Sequence, residues 1–201
     1  MDALDPGLVV RACVLLRAGG VVAYPTDTFY GLAADPRNPN AVARLFAIKG
    51  RAGGQAIPLI AADRQQAAQA AQFDDRALRL AEAFWPGPLS LVLPANGVIS
   101  QDARAADGTI AVRVPASEPA RAIARAFGFC ITATSANLSG GEALASAADV
   151  TAALGGAVDL VLDAGDTPGG APSTLVDVRG ETPRLVRAGA IAWDRVLRSL
   201  E

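Results

Sequence analysis

Lys49 and Arg51 stand two residues apart in "LFAIKGRAGGQAIPLI" (45–60), and Lys49 is the sole lysine of the chain. Every other basic side chain is an arginine, and there is no histidine. A lysine presents a point charge and an arginine a planar fork, a pairing suited to one polyphosphate. The bland alternative is a cation placed at a helix C-terminus, where the helix dipole favours it. A second candidate is "ITATSANLSGG" (131–141), where an apolar strand runs into small hydroxyl and amide residues and two glycines. Such a loop exposes backbone N–H groups to an anion, with Ser135 and Asn137 adding side-chain donors. The same composition also makes an ordinary turn.

Three further groups carry polar side chains at useful spacings. "YPTDTFYGL" (24–32) sets Thr26, Asp27, Thr28 and Tyr30 after a short strand. It is either a hydrogen-bonded Asx/ST turn or a polar pocket whose hydroxyls and ring hold an amino acid. Thr109 and Arg113 in "TIAVRVP" lie four apart in a strand and so share a face, which is a ligand cleft or plain solvent. Ser173 in "APSTLVDV" and Arg187 in "RLVRAGA" sit beside strands near the C-terminus.

What is missing narrows the chemistry. Without histidine there is no Ser-His-Asp triad, no Cys-His pair and no histidine-ligated metal. No Gly-Lys-Ser/Thr phosphate loop occurs. What remains is positioning, phosphate recognition, and hydroxyl or carboxylate groups. The net charge of −2 argues against a broad basic face for nucleic acid. Cys13 and Cys130 sit in apolar stretches and read as buried free thiols. No apolar run is long enough to span a bilayer, and acidic residues stand where a signal peptide would be basic. The expected compartment is the cytoplasm.

The elements that must hold these residues alternate. Helices are expected over 5–18, 39–48, 63–71, 74–84, 117–127, 146–154 and 192–200. Strands are expected over 21–25, 57–61, 89–94, 109–115, 129–134, 159–165, 174–178 and 183–189. Residues 26–32 read as a polar turn and 166–173, "DTPGGAPS", as a flexible loop. Several strands follow one another directly, so the expected class is α/β: one domain over 1–201 with a mixed sheet flanked by helices. The 201 residues, 51% of them hydrophobic, suffice for one substantial core.

Taken in order, "YPTDTFYGL", "KGR", "FWPGPLSLVLPA", "IAVRVP", "TSANLSG", "APSTLVDV" and "LVRAGAI" resemble the YrdC/Sua5 family. The resemblance spans residues 20 to 191, and the chain looks like the short bacterial form, without the extra C-terminal domain of longer members. It implies a twisted sheet of parallel and antiparallel strands around a large concave cavity. It implies an L-threonylcarbamoyladenylate synthase, a nucleotidyltransferase that condenses L-threonine, bicarbonate and ATP and releases pyrophosphate. The product would pass to a tRNA-modifying threonylcarbamoyl transferase complex acting at adenosine 37, and weak RNA binding belongs to the same expectation.

By that resemblance Lys49 and Arg51 are catalytic, and Lys49, Arg51, Gln55, Thr109, Ser135, Asn137 and Arg187 hold ATP. Thr28, Tyr30, Arg113 and Ser173 hold threonine. Mg²⁺ is implied as ATP's companion, without a dedicated protein metal site. The chain departs from the family pattern at Ala52 and Ala56, where proline is usual, and at Ile60, where longer members carry a histidine. Other readings of the same motifs are an RNA-binding or ribosome-maturation module, a YciO-type paralogue of weak activity, and a carbamoyl-transfer module. Salt-dependent RNA binding would mark the first; ATP binding without product would mark the second. Zinc-finger and acylphosphatase-like segments, absent here, would mark the third.

Overall fold

The computed structural model of the chain describes residues 4–50 and 56–201. Seven α-helices form among them: α1 (Pro6–Arg17), α2 (Pro39–Lys49), α3 (Arg64–Ala70), α4 (Asp75–Phe84), α5 (Glu118–Phe127), α6 (Ala147–Leu154) and α7 (Trp193–Arg198). Their starts follow from capping chemistry. Asp5, Asn38, Asp63, Asp74, Ser117 and Ser146 each accept a first-turn backbone N–H, a bond that an alanine cap could not make. Proline fills the first turn of α1, α2 and α5, where its missing N–H is no loss.

Ten strands divide into two sheets. They are β1 (Val22–Pro25), β2 (Tyr30–Ala33), β3 (Leu59–Ile60), β4 (Leu89–Pro94), β5 (Thr109–Arg113), β6 (Ile131–Thr132), β7 (Thr134–Ser135), β8 (Leu160–Val161), β9 (Thr174–Asp177) and β10 (Arg184–Arg187). One sheet has the order β7-β2-β1-β8 and the other β10-β9-β4-β5-β3-β6. Both mix parallel and antiparallel pairs, as the expected class requires, but the pairing is partitioned between two sheets. Buried residues from both contribute to one continuous apolar cluster.

Two expectations changed. Half of the "polar turn" is strand: Tyr30–Ala33 pairs antiparallel with β1, Tyr24 opposite Gly31. The strand expected over 129–134 is split at Ala133, with β6 in the larger sheet and β7 in the smaller. Thr132 ties the sheets together at that crossing. Its hydroxyl donates to the Leu32 carbonyl and accepts from the Ala34 N–H, and its carbonyl accepts from the Tyr24 hydroxyl. Burial holds that tyrosine well above its ordinary pKa, so it stays a neutral donor. The crossing brings the "TSAN" residues against β2 and the C-terminal end of α2.

Candidate active site

Lys49 ends α2, and Gly50 closes the helix in the left-handed region at φ 63°. Lys49 is 2% exposed, so its ammonium must be paired by protein. Nζ donates to the Ser135 carbonyl at 2.6 Å, to Ser135 Oγ at 3.3 Å and to Asn137 Oδ1 at 2.5 Å. Ser135 Oγ also donates to Asn137 Oδ1 at 2.6 Å. Asn137 Nδ2 reaches the Gly141 carbonyl, and the Lys49 carbonyl accepts from the Ser139 N–H. The helix end and the 135–141 loop therefore form one locked unit. A cavity beside it is lined by Phe46, Ala56, Ile57, Pro58 and Thr134. The structure thus joins Lys49, Ser135 and Asn137, three residues that the family resemblance assigns to ATP. Arg51 and Gln55, expected to complete that set, lie outside the described residues, as does Ala52.

The second cluster centres on Arg113, at the end of β5. Its Nη1 donates to Asp27 Oδ2 at 2.7 Å, and both side chains are largely buried. Asp27 is the hydrogen-bond partner of Arg113 among the described residues, which leaves other guanidinium N–H groups to meet an anion. Asp27 Oδ1 is buried with no hydrogen-bond partner among the described residues. An unpaired buried acceptor costs about 1–3 kcal/mol, and more when charged.

Arg187, on β10, donates to the Ser173 carbonyl at 2.9 Å and to Ser173 Oγ at 3.0 Å, and Ser173 Oγ meets Ser90 Oγ at 2.8 Å. Arg187 lies on an exposed strand. Even so, the protein around its guanidinium, and then the Arg113 charge, pull its pKa below the ordinary arginine value. Gly189 allows this geometry: a Cβ there would stand 2.3 Å from the Pro172 carbonyl oxygen and 2.5 Å from the Thr174 nitrogen. The Thr174 hydroxyl completes the junction through both the N–H and the carbonyl of Ile191.

The turn at 26–29 joins the two clusters. Asp27 in that turn holds Arg113, while β2, which follows it, pairs Gly31 with Ser135. Thr26 Oγ1 donates to the Phe29 carbonyl, accepts from the Thr28 N–H and lies 3.3 Å from Thr28 Oγ1, so the turn is hydrogen-bonded internally. The 166–173 loop docks on it: Gly169 N–H donates to the Thr28 carbonyl at 2.8 Å.

Two expected ligand residues are placed differently. Tyr30 is fully buried, and its hydroxyl donates to the Gly165 carbonyl at 3.0 Å, anchoring the chain that leads into the 166–173 loop. Thr109 stands at the far end of β5 from Arg113, about 13 Å along a strand. Its hydroxyl donates to Asp107, which Arg179 links to Asp177 on β9. The described residues connect Thr109 to neither cluster.

Sequence reasoning left two polar members of the site without a role. Asp27 belongs to the motif read as a turn or a polar pocket, but in that pocket only the hydroxyls and the ring carry a role. Ser90 gave a weak signal, a lone hydroxyl between leucines in "LSLVLP".

Fold and site together define a class: α/β proteins in which a lysine-and-hydroxyl loop and a largely buried arginine meet at one strand turn. A family model described as "Telomere recombination", the Sua5/YciO/YrdC model, matches residues 14–189. The chain belongs to the Sua5/YciO/YrdC family. It is 38% identical over 186 residues to the threonylcarbamoyl-AMP synthase of Pyrococcus abyssi, covering 92% of this chain and 55% of that protein. It is 41% identical over 165 residues to the threonylcarbamoyl-AMP synthase of Idiomarina loihiensis, covering 79% of this chain and 87% of that one. The crystal structure of Pyrococcus abyssi Sua5 complexed with L-threonine superposes with a TM-score of 0.92 at 34% identity, over 98% of this chain and 58% of that one. The chain thus spans little more than half of its archaeal relative and most of the bacterial one.

Proposed function

We propose that the chain is a threonylcarbamoyl-AMP synthase: it condenses L-threonine, bicarbonate and ATP and releases pyrophosphate. The observation that carries this reading is the joining, by one turn, of a lysine-hydroxyl cluster suited to phosphate and an arginine cluster suited to a carboxylate. The relatives at 38% and 41% identity bear the name of the same activity.

In this reading Arg113 and Ser173 take the threonine carboxylate and Thr28 its side. The amine attacks carbon derived from bicarbonate, and water leaves, giving a carbamate. A carbamate oxygen then forms a bond to the α-phosphorus of ATP, and the bond from that phosphorus to the bridging oxygen breaks. Pyrophosphate carries the electron pair away. Lys49, assisted by Arg51, steadies that charge from a fixed position, so the catalysis is electrostatic and positional. Gln55, Ser135, Asn137 and Arg187 serve the nucleotide side, and a cavity that excludes water would protect the mixed anhydride.

Mg²⁺ comes bound to the phosphates of ATP. The described residues contain no group of three or more acidic or thiol side chains that would hold it on their own. A single domain over 1–201, the cytoplasm, transfer of the product to a tRNA-modifying complex and weak RNA binding belong to the same proposal. Among the described residues no helix is long and apolar enough to cross a membrane.

Pyrophosphate release tests the reaction class. It is expected with ATP, Mg²⁺, bicarbonate and L-threonine together, and to fall to background when threonine or bicarbonate is omitted. Release that ignores both omissions would exclude this chemistry.

A further inference from the structure

We propose that Asp27 is the acceptor for the α-ammonium of the amino acid, so that Asp27 and Arg113 together form a receptor for a zwitterion. The inference rests on the amino-acid reading of the Arg113 cluster. Asp27 spends one carboxylate oxygen on Arg113 at 2.7 Å. The other oxygen is buried and has no donor among the described residues. A buried carboxylate oxygen is normally satisfied, so an orphan beside a binding arginine marks a place for a ligand donor.

The charges also match head to tail. An α-amino acid carries its carboxylate and ammonium on one carbon. With the carboxylate on the open edge of Arg113, the ammonium falls on the side of the anion that Arg113 already holds. Neither neighbouring hydroxyl competes for that oxygen: Thr26 Oγ1 donates to the Phe29 carbonyl, and Thr28 Oγ1 lies against Thr26. The same acceptor would hold the nitrogen in place ahead of carbamate formation. Asp27 is thus a recognition residue, and it selects for a free amine.

Calorimetric titration with L-threonine and with (R)-3-hydroxybutanoate, which has hydrogen in place of the ammonium, tests this. Wild type should bind L-threonine at least tenfold more tightly than the deaminated acid. Asp27→Asn should weaken L-threonine at least tenfold and change 3-hydroxybutanoate less than twofold, with ATP binding and thermal unfolding retained. Equal losses for both ligands would mean that Asp27 only orients Arg113, and would overturn the proposal. So would unchanged threonine binding. Should the variant not fold, the wild-type comparison decides: equal affinity for the two acids refutes an ammonium acceptor. Failure of the wild type to bind L-threonine at all would instead remove the amino-acid reading itself, and this inference with it.

Discussion

At the scale of single residues, Lys49 is where chemistry and stability meet. A buried ammonium held by a carbonyl, a hydroxyl and an amide is structural as well as cationic. Hydrogen bonds to charged groups contribute about 1.5–3 kcal/mol each. Lys49→Ala is therefore expected to lose nearly all turnover and also to unfold earlier, by roughly 3 kcal/mol of stability. Kinetics and denaturant melts on the same preparation separate the two; full turnover would remove the lysine from the mechanism. Lys49, Ser135 and Asn137 were legible because a sole lysine and a Ser-x-Asn loop are conspicuous in the sequence. Asp27 was not, since Asp in a turn is usually explained by local hydrogen bonds, and only tertiary structure reveals its unpaired oxygen.

The cysteines belong to this scale too. Burial pushes Cys130 up to about 12 and raises Cys13 as well. Both thiols are protonated at neutral pH, so neither is expected to react with iodoacetamide until the chain unfolds. Rapid labelling of the native protein, followed by mass spectrometry, would contradict that.

At the scale of elements, legibility followed local chemistry. Helix starts were readable because Asp, Asn and Ser caps act within one turn of chain. The β2 strand was not, because "YGLA" contains glycine and alanine and owes its extended form to pairing with β1 and β7. Nor could the division into two sheets be read, since it depends on the crossing at Ala133 between distant segments.

The junction of β9 and β10 yields two predictions. Gly189→Ala places a methyl inside van der Waals distance of the 172–174 backbone and shifts Ser173. It should cost about 1–3 kcal/mol and weaken L-threonine binding. Gly97→Ala, where nothing lies within 4 Å, should do neither, and equal behaviour of the two variants would refute the packing argument. Asp177 is held well below the usual carboxylate range, chiefly by the Arg179 side chain. The folded pKa lies below the unfolded value of about 3.9, so this stabilisation is complete above about pH 4 and is lost as pH falls further. Asp177→Asn should be less stable than wild type at pH 7, and the gap should close on acidification. A gap that widens toward low pH would reverse the sign.

At the scale of the whole molecule, two sheets share one core and bring segments far apart in sequence to a single turn. Thr132 ties the sheets, Tyr30 anchors the chain ahead of the 166–173 loop, and Gly169 docks that loop on Thr28. The order of motifs along the chain revealed the family, but which motifs meet is a property of the folded form. That is why Thr109 was grouped with a nucleotide site yet stands among Asp107 and the Arg179–Asp177 pair.

The central claim is that these meeting points make a mixed anhydride from three small molecules. The protein should be incubated with ATP, Mg²⁺, L-threonine and carbon-13 bicarbonate, and the products read directly by mass spectrometry. The account predicts threonylcarbamoyl-AMP carrying one heavy carbon, formed only when threonine and bicarbonate are both present. ATP and threonine bound to the protein with no heavy adenylate formed would contradict it.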